Sequence, residues 1–413
     1  MLRIVILAAF ALGACTSRPT ATLHEIAEEY VRLTLQLAQH HPSLVDAWVG
    51  PESWRPGPRR PVAELHAALD NLQARLDRVR DVDRTERARL DYLRRQLGAL
   101  KVAARRLSGE LTRFADDFES LFAGRVAVHD AVDLTRERAA LERELPGEGM
   151  LVDRIAAFRR QFVVSPERVN KVFMAAVEAC RSATASHIEL PSDERVAVEF
   201  NAGGNNAGSA EYLGRHQTRV RLASSDGHDI AELLHLACHE TYPGHHLQHV
   251  LIDDALVRGR GWLEFQLTPA FGVHAMLSEG WAEAGVELAM PPAESARVYR
   301  DTLMPLSGIR TGDAERLARI VALTALFTSE AVDPVARYLD NELPHEAALQ
   351  ALRQRALILS PERVIALAER RRAAAIVYAP AKRAVSSLYR DGDTNAKWRK
   401  LHDAFTVTPF VMP

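Results

Sequence analysis

Five histidines and a glutamate fall within fifteen positions of an apolar stretch: His235-Leu-Ala-Cys-His239-Glu240-Thr-Tyr-Pro243-Gly244-His245-His246-Leu-Gln-His249. Neutral imidazoles are zinc ligands, and a carboxylate beside one of them can take a proton from a water that the metal acidifies. A His-Glu pair on a helix normally has its second histidine four residues after the first. Here that position is Pro243.

In an unbroken helix, a residue at i+6 lies about 240° around and about 9 Å along from residue i, so His239 and His245 could not share an ion. Pro243 removes a hydrogen bond to the carbonyl of His239 and clashes there, and Gly244 frees the adjacent backbone. A helix broken over 241–244 returns His245 to the face of His239. His246 has the right angle at i+7 but lies about 10.5 Å along, so it also needs the break. His245 is the preferred ligand and His246 the alternative. The i,i+4 pairs His235/His239 and His245/His249 are rival clamps.

Twenty-nine residues beyond His249 begins Ser278-Glu279-Gly-Trp281-Ala-Glu283. Glu279 and Glu283 share one helix face at i and i+4. Apolar flanks (Ala275, Met276, Leu277, Trp281, Ala284, Val286) argue against an ordinary wet face. Glu279 suits a third ligand, and Glu283, one turn on, can hold the outer N–H of a histidine ligand. His274 is a further candidate for a supporting role.

HETYPGHH followed by EGWAEAG resembles a bacterial family of unknown function with the signature HE-x-x-x-G-H-H plus EGWA, grouped with the gluzincin-type zinc peptidases. The spacing is also similar to the widened HE-x-x-G-H of dipeptidyl peptidase III. The resemblance takes in Ala210–Gly214 and Arg219–Leu222, more loosely Tyr378 and Leu388–Arg390, and so about half the chain. It implies a zincin-like, mainly α (α+β) fold. Many helices would surround a cleft, with a small mixed or antiparallel sheet beside the metal helix. It also implies one Zn2+ on His239, His245 and Glu279, Glu240 as general base, and a peptide substrate. Tyr378 is the choice for donor to the developing oxyanion, with His274 the second candidate. Two other readings stand beside the peptidase. One is an envelope lipoprotein whose metal is a structural staple; the other is a zinc-dependent hydrolase of non-peptide amides or esters.

These residues need elements to hold them. The chain has 413 residues, 47% hydrophobic and 26% charged, with net charge −2. That suffices for a large core and gives no nucleic-acid surface. Residues 1–15 read as a lipoprotein signal ending Leu12-Gly-Ala-Cys15, with cleavage before Cys15 and acylation there. Residues 16–22 read as a tether. The only membrane contact is then the lipid, and Thr16 after the cysteine suggests the outer membrane, facing the periplasm, in a Gram-negative host. Residues 23–190 predict helices forming one wall of the cleft, their Arg/Asp/Glu runs being solvated faces. Residues 191–413 predict the catalytic region. It opens with a strand at 195–201 and a hairpin around Gly214, whose edge can receive an extended peptide. Asp229 and Glu232 start the metal helix. Further helices are predicted at 293–303, 313–332, 345–357, 360–377 and 382–389. Cys180 and Cys238 read as buried thiols.

Overall fold

The computed structural model describes residues 22–80, 82–110, 112–122, 133–201, 208–223, 227–310, 312–371 and 377–407. The leader with Cys15, and residues 16–21 of the tether, lie outside the described residues. Thr22 belongs to the fold instead. Its side chain accepts from the Glu25 amide while the Glu25 carboxylate accepts from the Thr22 amide, a reciprocal cap for the helix Leu23–Ala38.

The described residues are mainly helical, with two small sheets. The first half contributes helices Leu23–Ala38, Val62–Leu76, Arg84–Leu107, Phe114–Phe122, Thr135–Glu144, Leu151–Arg159 and Pro166–Ala185. Their apolar stripes supply the core. Leu65, Leu69, Leu72 and Leu76, at helical spacing, are all fully buried, each worth roughly 1.5–3 kcal/mol. Two charged residues depart from the solvated-face expectation, Asp117, which pairs with Arg106, and Arg89. Arg89 is buried and grips Glu264 with two hydrogen bonds, of 2.6 and 3.0 Å. It ties Arg84–Leu107 to the segment that leads into the Glu279 helix. Removing one partner of such a pair costs about 3–5 kcal/mol.

Strand β1 (Val45–Trp48), which was not foreseen, pairs antiparallel with β5 (Leu267–Pro269). The second sheet contains β2 (Arg195–Asn201), β3 (Gly208–Gly214) and β4 (Gln217–Ala223), in the order β2-β4-β3. β3 and β4 form the expected hairpin, with Arg215 and His216 at positive φ in its turn. β2 runs parallel to β4, so the sheet is mixed.

Two helices were not foreseen. Val332–Leu339 follows the 3-10 segment Leu326–Ala331 directly, so the pattern reads as one helix ending at 332. Thr394–Thr406 is capped by Asp393, whose carboxylate accepts from the Ala396 amide. The cysteines also differ from expectation: Cys180 and Cys238 form a disulfide. It joins Pro166–Ala185 to the helix carrying His239, two elements packed face to face.

Candidate metal centre

The helix Ile230–Glu240 opens on Asp229, whose carboxylate accepts from the amides of Ala231 and Glu232. It ends at Glu240, and a new helix begins at His245. The interruption therefore falls at 241–244, over the proline and glycine. Two wide turns bridge it: the Gly244 amide donates to the Cys238 carbonyl (3.1 Å), and the Leu247 amide to the Thr241 carbonyl (3.2 Å). Gly244 lies so close to the preceding helix that a Cβ there would stand 1.7 Å from the His239 carbonyl oxygen. Only glycine fits.

The break brings His239 and His245 together with ring centroids 4.8 Å apart. The carboxylate comes from the helix Gly272–Ala289. Glu279 Oε2 is 3.3 Å from His239 Nε2 and 3.6 Å from His245 Nε2. Two donors held about 2.0–2.1 Å from a tetrahedral zinc stand about 3.3 Å apart, so these separations suit that ion. Two imidazole nitrogens and one carboxylate oxygen are also its usual ligand types. Glu279 Oε2 and His239 Nδ1 are buried, and neither makes a hydrogen bond of acceptable geometry. The donor set fits a divalent cation better than it fits its own neighbours.

Behind the ligands, Glu283 Oε1 lies 3.1 Å from His239 Nδ1 and 3.3 Å from His235 Nε2. His235, His239 and Glu283 thus form a second cation-competent group, using the opposite nitrogen of His239. On the other side, Ser278 Oγ is 3.3 Å from His245 Nδ1 and donates to Gln248 Oε1 at 2.6 Å. The Gln248 amide nitrogen donates to the Ser278 carbonyl at 3.0 Å. With the serine proton committed to Gln248, the hydroxyl oxygen accepts from His245 Nδ1–H. Nε2 then keeps its lone pair for a cation. Sequence reasoning did not find Ser278 or Gln248 in this role, because neither spacing nor residue type reports a contact between two helices.

Electrostatics point the same way. Burial works against the charged form of His239, but Glu279 and Glu283 outweigh it and raise its pKa well above the usual 6.5. His245 is raised too, burial being outweighed chiefly by the Glu279 charge. Burial likewise disfavours the Glu279 carboxylate, yet the neighbouring histidines hold its pKa down at about 2. The cluster calls for positive charge at its centre.

The remaining candidates are placed as follows. Glu240 is buried at the end of the helix, its carboxylate packed beside Gly208 at the start of β3. Tyr378 is 43% exposed, with its ring centroid 6.1 Å from that of His239. It opens the helix Tyr378–Tyr389, which packs so closely on Gly272–Ala289 that a Cβ on Gly280 would meet the Ala381 carbonyl at 2.5 Å. His246 faces away, between Thr218 Oγ1 (2.8 Å) and Glu194 Oε2 (3.3 Å), and is not among the converging donors. Tyr242, within the break, bonds to the same Glu194. His249 stacks on Tyr212. His274 is buried with Nδ1 3.1 Å from the Tyr92 hydroxyl. Burial, helped by the charge of His245, lowers its pKa to about 3.

No family model matches the chain, and no curated protein matches it. Among solved structures it is similar to one from Colwellia psychrerythraea that is described, provisionally, as a lipoprotein. The TM-score is 0.51 at 14% identity, over 83% of this chain and 63% of that one. The chain thus spans less than two thirds of the neighbour's length, and the likeness is one of fold.

Proposed function

We propose that the chain is a zinc-dependent peptidase anchored by lipid in the bacterial envelope. The observation that carries this reading is the convergence of His239 Nε2, His245 Nε2 and the unbonded Glu279 Oε2, with Glu240 next to the first ligand. No fourth protein donor joins this group among the described residues. Three protein ligands are the number kept by catalytic rather than structural zinc sites, which favours an enzyme over a metal-stapled scaffold.

Zinc bound there would acidify a water and polarise the carbonyl under attack. The chain's own groups do the rest. Glu240 accepts the water's proton on its carboxylate and returns it to the leaving amine. Tyr378 donates its hydroxyl proton in a hydrogen bond to the oxyanion. Glu283 sets its charge against the outer nitrogen of His239, and Ser278 holds that of His245.

A peptide is favoured over smaller amides or esters by β3. Among the described strands it pairs with β4 alone, and it begins beside Glu240. Its outer edge suits main-chain hydrogen bonds to an extended substrate.

The envelope assignment draws on Leu12-Gly-Ala-Cys15 and on the description of the Colwellia neighbour. The Cys180–Cys238 disulfide adds to it, being the bond expected of an oxidising compartment. No described helix is long and apolar enough to cross a membrane.

The decisive experiment replaces Glu240 with Gln. Zinc content should stay at one ion per chain while cleavage of a peptide library disappears. Retained cleavage would reject the role, and a wild-type protein that binds zinc yet cuts nothing would favour the structural-metal alternative.

A further inference from the structure

The helix Ile230–Glu240 leads away from the metal centre as well as carrying it. Glu232, His235 and His239 follow one another at spacings of three and four, along one face of that helix. His235 also lines a cavity of about 630 Å³. This size lies in the range of about 300–1,000 Å³ typical of ligand sites.

Four segments wall it: the end of Leu151–Arg159 with the turn that follows, the start of Ile230–Glu240, the helix Ala314–Ala325, and Ala356–Ser360 running into Pro361–Arg371. The lining is largely apolar, with Val163, Val321, Ala325, Leu357 and Val364 facing the space.

The charged groups at its rim are unevenly committed. Asp229 caps its helix and pairs with Arg159 at 2.7 Å. Glu232 faces His228 at 3.2 Å, and the charge of Arg363 also acts on it. Arg160 is exposed and has no acidic partner among the described residues. Arg159 and Arg363 thus face these two acids and His235 faces Glu283, which leaves Arg160 as the cation available to a ligand.

His235 precedes His239 by about 6 Å of helix, and an extended peptide advances about 3.3 Å per residue. A chain crossing the metal centre reaches the cavity about two residues from the bond under attack.

Building on the peptidase reading, we propose that this cavity is a substrate subsite for an apolar side chain followed by a carboxylate. Val321, Ala325, Leu357 and Val364 take the side chain, and Arg160 takes the carboxylate. That carboxylate is either an acidic side chain or the peptide's own C-terminus.

The test uses the full-length, zinc-loaded Glu240→Gln protein, expected to hold peptides without cutting them, and the metal-stripped wild type as a second sample. Fluorescein-labelled pentapeptides differ only at their last two residues: Leu-Asp amide, Leu-Asn amide, Ser-Asp amide and Leu-Ala free acid. Anisotropy should show Leu-Asp amide or the Leu-Ala acid binding about fivefold tighter than Leu-Asn amide, as suits a bidentate arginine–carboxylate pair at a partly open site. Which of the two gains identifies the source of the carboxylate.

Arg160→Glu should erase the gain, and Ala325→Trp should weaken the leucine peptides while sparing Ser-Asp amide. Both positions are exposed, so both variants should fold. Equal binding of all four peptides, or indifference to both substitutions, overturns the subsite. Should the binding pattern hold while wild-type protein cleaves nothing, the subsite survives and the peptidase reading falls. Cleavage that ignores both residues has the opposite meaning.

Discussion

Replacing Gly244 with Ala tests the step on which the metal centre depends. The added Cβ would lie 1.7 Å from the His239 carbonyl oxygen and 2.6 Å from that of Cys238. Side-chain carbons do not come nearer such atoms than 3.0 Å, so the segment must move by about 1.3 Å, the difference between 3.0 and 1.7. Zinc–ligand distances are tolerant only to about 0.2 Å, and His245 is the next residue. Losing an outer partner of a ligand already costs about 10–100-fold in metal affinity. Displacing the ligand itself should cost at least 100-fold, or about 2.7 kcal/mol. Competition against a chromogenic chelator measures this, with circular dichroism and thermal unfolding to show that the fold persists. Gly98→Ala is the control, because a Cβ there meets nothing within 4 Å, and its affinity should be unchanged. A folded Gly244→Ala protein with wild-type zinc affinity would refute the argument that the break places His245.

Glu283→Gln should lower zinc affinity about 10–100-fold, because it weakens the partner 3.1 Å from His239 Nδ1; unchanged affinity in the same chelator assay would remove Glu283 from the centre. The metal-free protein should show a pH optimum set by the cluster. The raised pKa of His239 stabilises the fold fully below 6.5 and less as pH climbs through the folded value, while the depressed pKa of Glu279 stabilises it fully above 4.5 and less as pH falls toward about 2. His274, whose lowered pKa keeps it neutral in the fold, starts the acid decline already below 6.5, so the melting temperature of chelator-treated protein should peak near pH 6.5 and fall on both sides, and added zinc, which replaces the protons, should abolish the alkaline decline. An alkaline decline that zinc leaves untouched would contradict this. Replacing both Cys180 and Cys238 with Ser opens a loop of 58 residues' separation and should cost about 4 kcal/mol on the chain-entropy account; denaturant unfolding of oxidised and mutant protein gives the difference, and a loss below about 1 kcal/mol would show that the unfolded chain gains little from the cut.

What could be read from the sequence was whatever acts locally. A proline and a glycine disrupt a helix wherever they stand together, so the interruption at 241–244 was legible without knowing any neighbour. The same holds for Asp229, whose cap reaches only two and three residues ahead. Asp393 carries the same signal before Thr394–Thr406 and could have been read the same way. The strands β1 and β5, of four and three residues, are too short for alternation to show. The parallel pairing of β2 with β4 depends on how the chain between them returns.

The cysteines illustrate the harder case. Cys180 and Cys238 each sit on the apolar face of a helix, and that pattern is the same for two buried thiols as for a bond between them. Only the packing of Pro166–Ala185 on Ile230–Glu240 distinguishes the two, and it does so at the residue before His239. Ser278 belongs to the same class. It is a small polar residue beside a ligand, and it gains a function only because Gln248, thirty residues away, takes its proton. The first ligand helix is thus fastened from behind by a covalent bond, and the second is aligned by the Ser278–Gln248 hydrogen bond that ties it to a third helix. Local sequence sets where the chain bends, but the angle at which the two imidazoles meet depends on these longer contacts. That angle decides whether the donors sit 3.3 Å apart or not at all, so a loss of zinc on cutting the disulfide, with the bend intact, would separate the two contributions.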